Sequence, residues 1–107
     1  MPLLLVSIVR FVDESFPGFV ECEFIDAFKQ KHTLIDKVPI FSEQVFWSDS
    51  SYPQSGNAGC EILGRFREER GRELLRIKIA RPWAMETVDG ETQFIVNTSQ
   101  VSEDPSS

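Results

Sequence analysis

Apolar and polar residues alternate in short bursts along this chain, and no segment sustains a 3.6-residue period. The cleanest burst is Val20-Glu21-Cys22-Glu23-Phe24, with three apolar side chains on one side and two carboxylates on the other. That is the pattern of a half-buried strand. Leu3–Val12 reads as the strand before it, across the turn Ser15-Phe16-Pro17-Gly18. Residues 32–38 read as the strand after it, through a turn near Phe28–Lys31 that holds neither Gly nor Asn. The pattern leaves open whether Leu34 or Ile35 faces the core.

Two more hairpins follow. Around Glu68-Glu69-Arg70-Gly71, pairing Arg67 with Arg72 brings Gly64 opposite Leu75, Ile62 opposite Ile77 and Cys60 opposite Ile79 on a buried face. Glu61 then meets Lys78 on the other face, an attractive cross-strand pair, and that face also carries Arg65, Arg67 and Arg76. At Val88-Asp89-Gly90-Glu91 the Asp-Gly pair suits a two-residue type I′ turn. Counting outward pairs Thr87 with Thr92, Met85 with Phe94 and Trp83 with Val96, while Pro82 separates this hairpin from the preceding strand.

The total is about seven short strands, near 3–12, 19–27, 32–38, 60–67, 72–80, 83–88 and 91–97. They predict an all-β single domain over residues 1–97: a small antiparallel barrel, with a two-sheet β-sandwich as the alternative. Residues 98–107, ending SEDPSS, read as a flexible C-terminal tail. One long aromatic loop, FSEQVFWSDSSYPQSGNAGC (41–60), interrupts the strands, with a helical turn expected at Ser42–Trp47 and Ser42 as its N-cap. Loops of this length are commonly functional or partly helical. If Phe41, Phe46 and Trp47 fold back, they close one end of the barrel. If Trp47, Asp49, Tyr52 and Gln54 stand at the tip, they bind a partner, Trp and Tyr being frequent interface anchors.

Composition narrows the functional classes. The 107 residues suit one small domain, 41% of them hydrophobic. Nine Phe against one Tyr call for buried rings. The net charge of −6 makes a nucleic-acid partner an unfavoured expectation, because phosphate binding needs a basic surface. Residues 65–81 run against this trend, with seven Arg and Lys against three Glu, a local +4 that leaves −10 on the remainder. These cations either pair with Glu21, Glu23 and Glu61 on neighbouring strands or form an anion- or RNA-binding face. Base stacking requires exposed aromatics between the cations, and the outward neighbours in this register are Leu63 and Leu74.

Cys22 and Cys60 are too few for a disulfide scaffold and fall on inward strand positions, which suggests reduced thiols and a cytoplasmic location. The opening MPLLLVSIVRFV lacks signal-peptide flanks and falls short of the ~20 residues of a membrane span. No membrane association is expected.

Catalytic patterns are sparse. There is no nucleophile elbow, no phosphate loop and no pair of His at metal-ligand spacing. Gly56-Asn57-Ala58-Gly59 leads into a strand rather than a helix, and the sequon Asn97-Thr98-Ser99 has no secretory signal to make it meaningful. His32 could serve as a base for Cys60 or Cys22, oriented by Asp36. Against this, both thiols point inward, and His32 opens a strand, where an exposed or half-exposed side chain is expected. The expectation is a non-enzyme without metal or cofactor.

The blocks DESFPGFVEC (13–22), DKVPIF (36–41), YPQSGNAGCEI (52–62) and PWAMETVDGETQFIV (82–96) resemble a set of short bacterial hypothetical proteins with no known activity. The resemblance implies a bacterial, single-domain, mostly β protein and carries over no functional residue. The sequence therefore points to a protein-binding module, immunity- or inhibitor-like, that uses an acidic surface and the 41–60 loop on an unidentified protein partner. The alternative is a small-ligand-binding barrel or minor enzyme with a mouth lined by Trp47, Tyr52, Trp83 and Glu86. Oligomeric state is not legible.

Overall fold

A computed structural model of the chain describes residues 2–15, 18–42, 51–81 and 86–103. Seven strands form one antiparallel sheet: β1 (Pro2–Asp13), β2 (Phe19–Ile25), β3 (Lys31–Lys37), β4 (Gln54–Arg67), β5 (Glu73–Arg81), β6 (Gln93–Asn97) and β7 (Val101–Glu103). A single helical turn, α1 (Val38–Phe41), follows β3. The order across the sheet is β3-β2-β1-β4-β5-β6, and β7 pairs with β1. β1 is the hub. One of its edges takes β4 along Leu3–Ile8; the other takes β2 from Ser7 to Asp13 and β7 along Pro2–Leu4.

The sheet curls into a half-barrel, which corrects the expectation of a closed barrel, and no second packed sheet makes a sandwich among the described residues. β3 and β6 share no ladder there. Isolated bonds bridge the gap instead: Ala27 N donates to Ile95 O (2.9 Å) and Val88 N to Thr33 O (3.0 Å). Curling brings one face of every strand except the last into a common core with α1: Leu4, Val6 and Ile8 of β1, Val20, Cys22 and Phe24 of β2, and Leu75, Ile77 and Ile79 of β5 among them. Val101 of β7 joins the same core at its margin.

The alternation in β2 holds, with Val20, Cys22 and Phe24 inside and the two glutamates outside. In β3, Leu34 is the core residue and Ile35 is exposed. In the β4–β5 hairpin the inner pairs Cys60–Ile79, Glu61–Lys78 and Ile62–Ile77 match the expected register. Leu63 is then the extra residue of a bulge, so Gly64 lies opposite Arg76, and Arg67 opposite Glu73 rather than Arg72. The slip replaces a repulsive Arg–Arg pair with an ion pair, Arg67 Nη2 to Glu73 Oε1 at 2.6 Å. It also inverts the faces beyond Leu63: Phe66 turns outward opposite Leu74, while Arg65 and Arg67 move to the core side of the sheet, past the end of the core.

Several boundaries differ from expectation. β4 starts at Gln54, so 54–59 belong to a strand and the 41–60 loop is shorter than read. Gly56 makes this possible: a Cβ there would lie 2.8 Å from both Ile8 Cδ1 and the Phe41 carbonyl oxygen. A helical turn forms at Val38–Phe41 with Ser42 as its C-cap, while the turn expected at Ser42–Trp47 falls outside the described residues beyond Ser42. Residues 98–103, expected as tail, form a 3₁₀ turn (Thr98–Gln100) and β7. The 83–88 strand and its pairs Trp83–Val96 and Met85–Phe94 fall partly outside the described residues. Within them, β6 pairs with β5, Phe94 facing Ile77 and Val96 facing Leu75.

Three tight loops share one geometry. Asp26–Gln30, Glu68–Arg72 and Thr87–Glu91 each close with a bond from the first N–H to the fifth carbonyl and from the fourth N–H to the first carbonyl. The fourth residue of each adopts positive φ: Lys29 (68°), Gly71 (90°) and Gly90 (85°). This is a type I turn followed by a left-handed residue. The Asp89-Gly90 turn is thus centred on Val88-Asp89 and is not type I′, since Asp89 keeps negative φ. No helix among the described residues is long and apolar enough to cross a membrane.

Candidate functional site

The expected partner-binding set is only partly described. Trp47 and Asp49 lie outside the described residues. Tyr52 is half-buried and packs on the core, and Gln54 begins β4, its side-chain amide donating to Ser51 O at 2.7 Å. Phe41 is fully buried, while Phe46, expected with it at the end of the barrel, lies outside the described residues. Of the alternative mouth, Trp83 lies outside the described residues and Glu86 is exposed. The described geometry brings neither set together.

His32 departs from expectation more sharply. It is buried, with 6% of its surface exposed, and its carboxylate partner is Asp26 rather than Asp36. Its ring lies between Phe24 and Phe94, with centroid distances of 5.1 and 4.9 Å. Nε2 is 2.8 Å from Asp26 Oδ2, and Nδ1 is 3.5 Å from Glu91 Oε2. Asp26 Oδ1 also accepts from the backbone N–H of Phe28 (2.8 Å) and Gln30 (3.0 Å). Burial raises the Asp26 pKa, but the bonds from His32, Gln30 and Phe28 together outweigh it and hold the carboxyl below its ordinary range. Both ring nitrogens are directed at carboxylates, so His32 ties the β2–β3 tip to Glu91. Cys22 and Cys60 are both buried and neither forms a disulfide, and burial, with Glu21 nearby, pushes the Cys22 thiol up to about 12. No group of His, Cys, Asp and Glu among the described residues has a metal-holding arrangement.

The basic hairpin resolves into individual pairs. Glu21 and Glu23, expected to neutralise it, are taken by Arg10 (2.8 Å) and Lys31 (3.4 Å). Lys78 approaches Glu61 at 3.8 Å. Arg72 forks onto Glu68, its Nη2 3.0 Å from Oε2, and that bond holds the Glu68 carboxyl below its usual range. Arg72 Nη1 reaches across to Ala27 O at 2.9 Å, tying the β4–β5 tip to the β2–β3 tip.

Between these two tips lies an open groove of about 570 Å³, walled by Ala27, Phe28 and Lys29 on one side and Glu68, Arg70 and Arg72 on the other. Phe28 leaves 57% of its surface in solvent, 6.0 Å from the Arg72 guanidinium carbon. Neither Lys29 nor Arg70 has an ion-pair partner within 4 Å among the described residues. A smaller recess of about 210 Å³ continues along the hairpin beside Arg65, Phe66 and Arg67, and Phe66 is 40% exposed. The aromatics between the cations are therefore Phe28 and Phe66. Leu74, expected outside, is 1% exposed.

The groove is held in shape by its surroundings. Ala27 is fastened to β6 through its N–H and to Arg72 through its carbonyl, and Gln100 Nε2 donates to Ile25 O at 2.6 Å. Sequence reasoning missed this site because its two walls lie far apart in the chain. The available signal was Asp26, a residue type favoured at the first position of a type I turn, followed by Ala-Phe-Lys. Comparison of the chain with protein-family models, with curated proteins and with solved structures finds no match.

Proposed function

We propose that this chain is a non-enzymatic protein-binding module whose contact surface is the end formed by the β2–β3 and β4–β5 tips. The observation that carries the reading is Phe28, a ring left largely in water on a tip that six hydrogen bonds hold in place, amid cations. A solvated ring on a rigid tip is a strong candidate anchor, since it gains contact area with little ordering cost. His32, bound to carboxylates on both sides, and the high Cys22 pKa support a binding role over thiol catalysis. Two buried cysteines outside any disulfide suit a reducing compartment.

The test is affinity capture from cells that produce the protein, with the wild type and Phe28→Ser in parallel and their melting temperatures measured. The expected result is a partner retained by the wild type and lost by Phe28→Ser at unchanged melting temperature. Equal capture by both refutes the surface. A Trp47→Ala/Tyr52→Ala double variant, run alongside, reports on the 41–60 segment.

A further inference from the structure

We infer that the groove between the two tips takes an acidic segment of a partner protein, with an apolar side chain against Phe28 and carboxylates on Lys29 and Arg70. This inference rests on the protein-binding reading above and adds the chemistry of the partner.

Charge decides the sign of the ligand. Three cations and one carboxylate line the groove, and Arg72 already neutralises Glu68 through its fork. Lys29 and Arg70, one on each wall, line the groove together with Phe28, and Arg70 adds a weaker pull on Glu68. Cations and an exposed ring in one groove match a chain that alternates carboxylates with an apolar residue.

Charge also limits the length of that ligand. The protein carries −6 overall and −10 outside residues 65–81, so a long polyanion that overruns the groove meets like charge. A nucleic-acid strand presents one phosphate per nucleotide and draws its affinity from many cations in a row. A short acidic peptide needs only the two at hand. The pre-tied walls favour such a segment further: Arg72, Ala27 and Gln100 fix the tips before the ligand arrives, so little ordering cost falls on the protein.

The experiment uses the full chain, isotope-labelled for backbone amide spectra. It is titrated with a 12-residue peptide of alternating Asp and Glu around one central Phe, and with an oligouridylate of equal length. The expected result is peptide-induced shifts confined to amides of 26–30 and 68–72. Affinity should fall about tenfold or more in the Lys29→Glu/Arg70→Glu variant. It should fall again between 0.01 and 0.15 M salt, as the Debye length contracts from about 30 to about 8 Å. A peptide with Ser in place of Phe should bind more weakly at the same amides. Shifts elsewhere, no shifts at all, an unchanged affinity in the charge-reversed variant, or tighter oligouridylate binding at these amides overturns the inference. Concentration-dependent self-association of the wild type through these residues would assign the groove to a second copy and overturn it too. Capture of the cellular partner separates the two claims. Loss with Phe28→Ser but retention by Lys29→Glu/Arg70→Glu leaves the module standing and removes the acidic segment; retention by Phe28→Ser removes both.

Discussion

Replacing Asp26 by Ala removes three hydrogen bonds at once, and they are not equivalent. Two of the donors, the N–H groups of Phe28 and Gln30, lie on an exposed tip where water can replace the carboxylate. Their loss costs roughly 1 kcal/mol together. The third donor is the His32 Nε2, buried with 6% exposure opposite a carboxylate that is itself 9% exposed. Leaving that nitrogen without a partner costs roughly 2 kcal/mol. The expected loss is thus about 3 kcal/mol, a large fraction of the 5–15 kcal/mol typical of such a domain. In urea denaturation it appears as a midpoint lowered by about 1.5 M at unchanged slope, taking a slope near 2 kcal/mol/M. Asp26→Asn is the informative companion. Its amide oxygen keeps the two turn bonds, so its loss should be about 1 kcal/mol smaller. An Asp26→Ala midpoint within 0.5 kcal/mol of wild type would refute the argument that this buried pair ties the β2–β3 tip to β3. Equal losses for Ala and Asn would refute the division between turn and histidine.

Further outcomes follow from other contacts. The Asp26 carboxyl is held below its unfolded value of 3.8, so its contribution to stability is complete above that pH and disappears as pH falls through the depressed folded value; the acid limb of a stability–pH curve should be shallower in Asp26→Asn. Gly56→Ala should cost about 1–3 kcal/mol, read as a lowered thermal midpoint, because the Phe41 carbonyl that the new methyl meets belongs to backbone and cannot rotate away. Cys22, with its thiol pushed up to about 12, should resist a thiol reagent at pH 8 in the native protein and react once the chain is denatured. Tyr52→Ala should lower stability by about 2–3 kcal/mol while sparing partner capture, since the ring packs on the core and away from the tip groove.

What could be read from the sequence was whatever local alternation and turn chemistry determine. β2 was visible because charged and apolar residues alternate without a break, and the inner β4–β5 pairs because two apolar couples flank an opposite-charge couple in register. The bulge at Leu63 was not, since an extra apolar residue inside an apolar run leaves no mark on the pattern. The like-charged pair Arg67–Arg72 was the one local hint that the count had slipped. Residues 54–59 were hidden by Gly56, Asn57 and Gly59, types depleted in strands; at Gly56 the missing side chain is needed because α1 and Ile8 press onto the backbone. Asp-Gly at 89–90 fits two turn families, and the bonds from Thr87 select the longer one. His32 was misjudged because its burial comes from Phe94 and Glu91 on a distant turn, contacts that strand position alone does not encode. The groove is the same kind of fact: each tip is an ordinary hairpin loop, and only the bond from Arg72 to Ala27 makes them one surface.

The hub position of β1 has a kinetic consequence. Leu4 finds one neighbour at Ala58 and the other at Val101, so β1 is made well before both of its flanks and waits for β7 to be fully flanked. Until then its apolar Leu3–Ile8 run offers unsatisfied backbone edges to any other extended chain. Pairings that span nearly the whole polypeptide also carry a large closure entropy and slow the rate-limiting step. The window between synthesis and the arrival of β7 is therefore when this protein is most exposed to aggregation. Substitutions in Val101–Glu103 should influence yield and refolding rate out of proportion to the size of that strand.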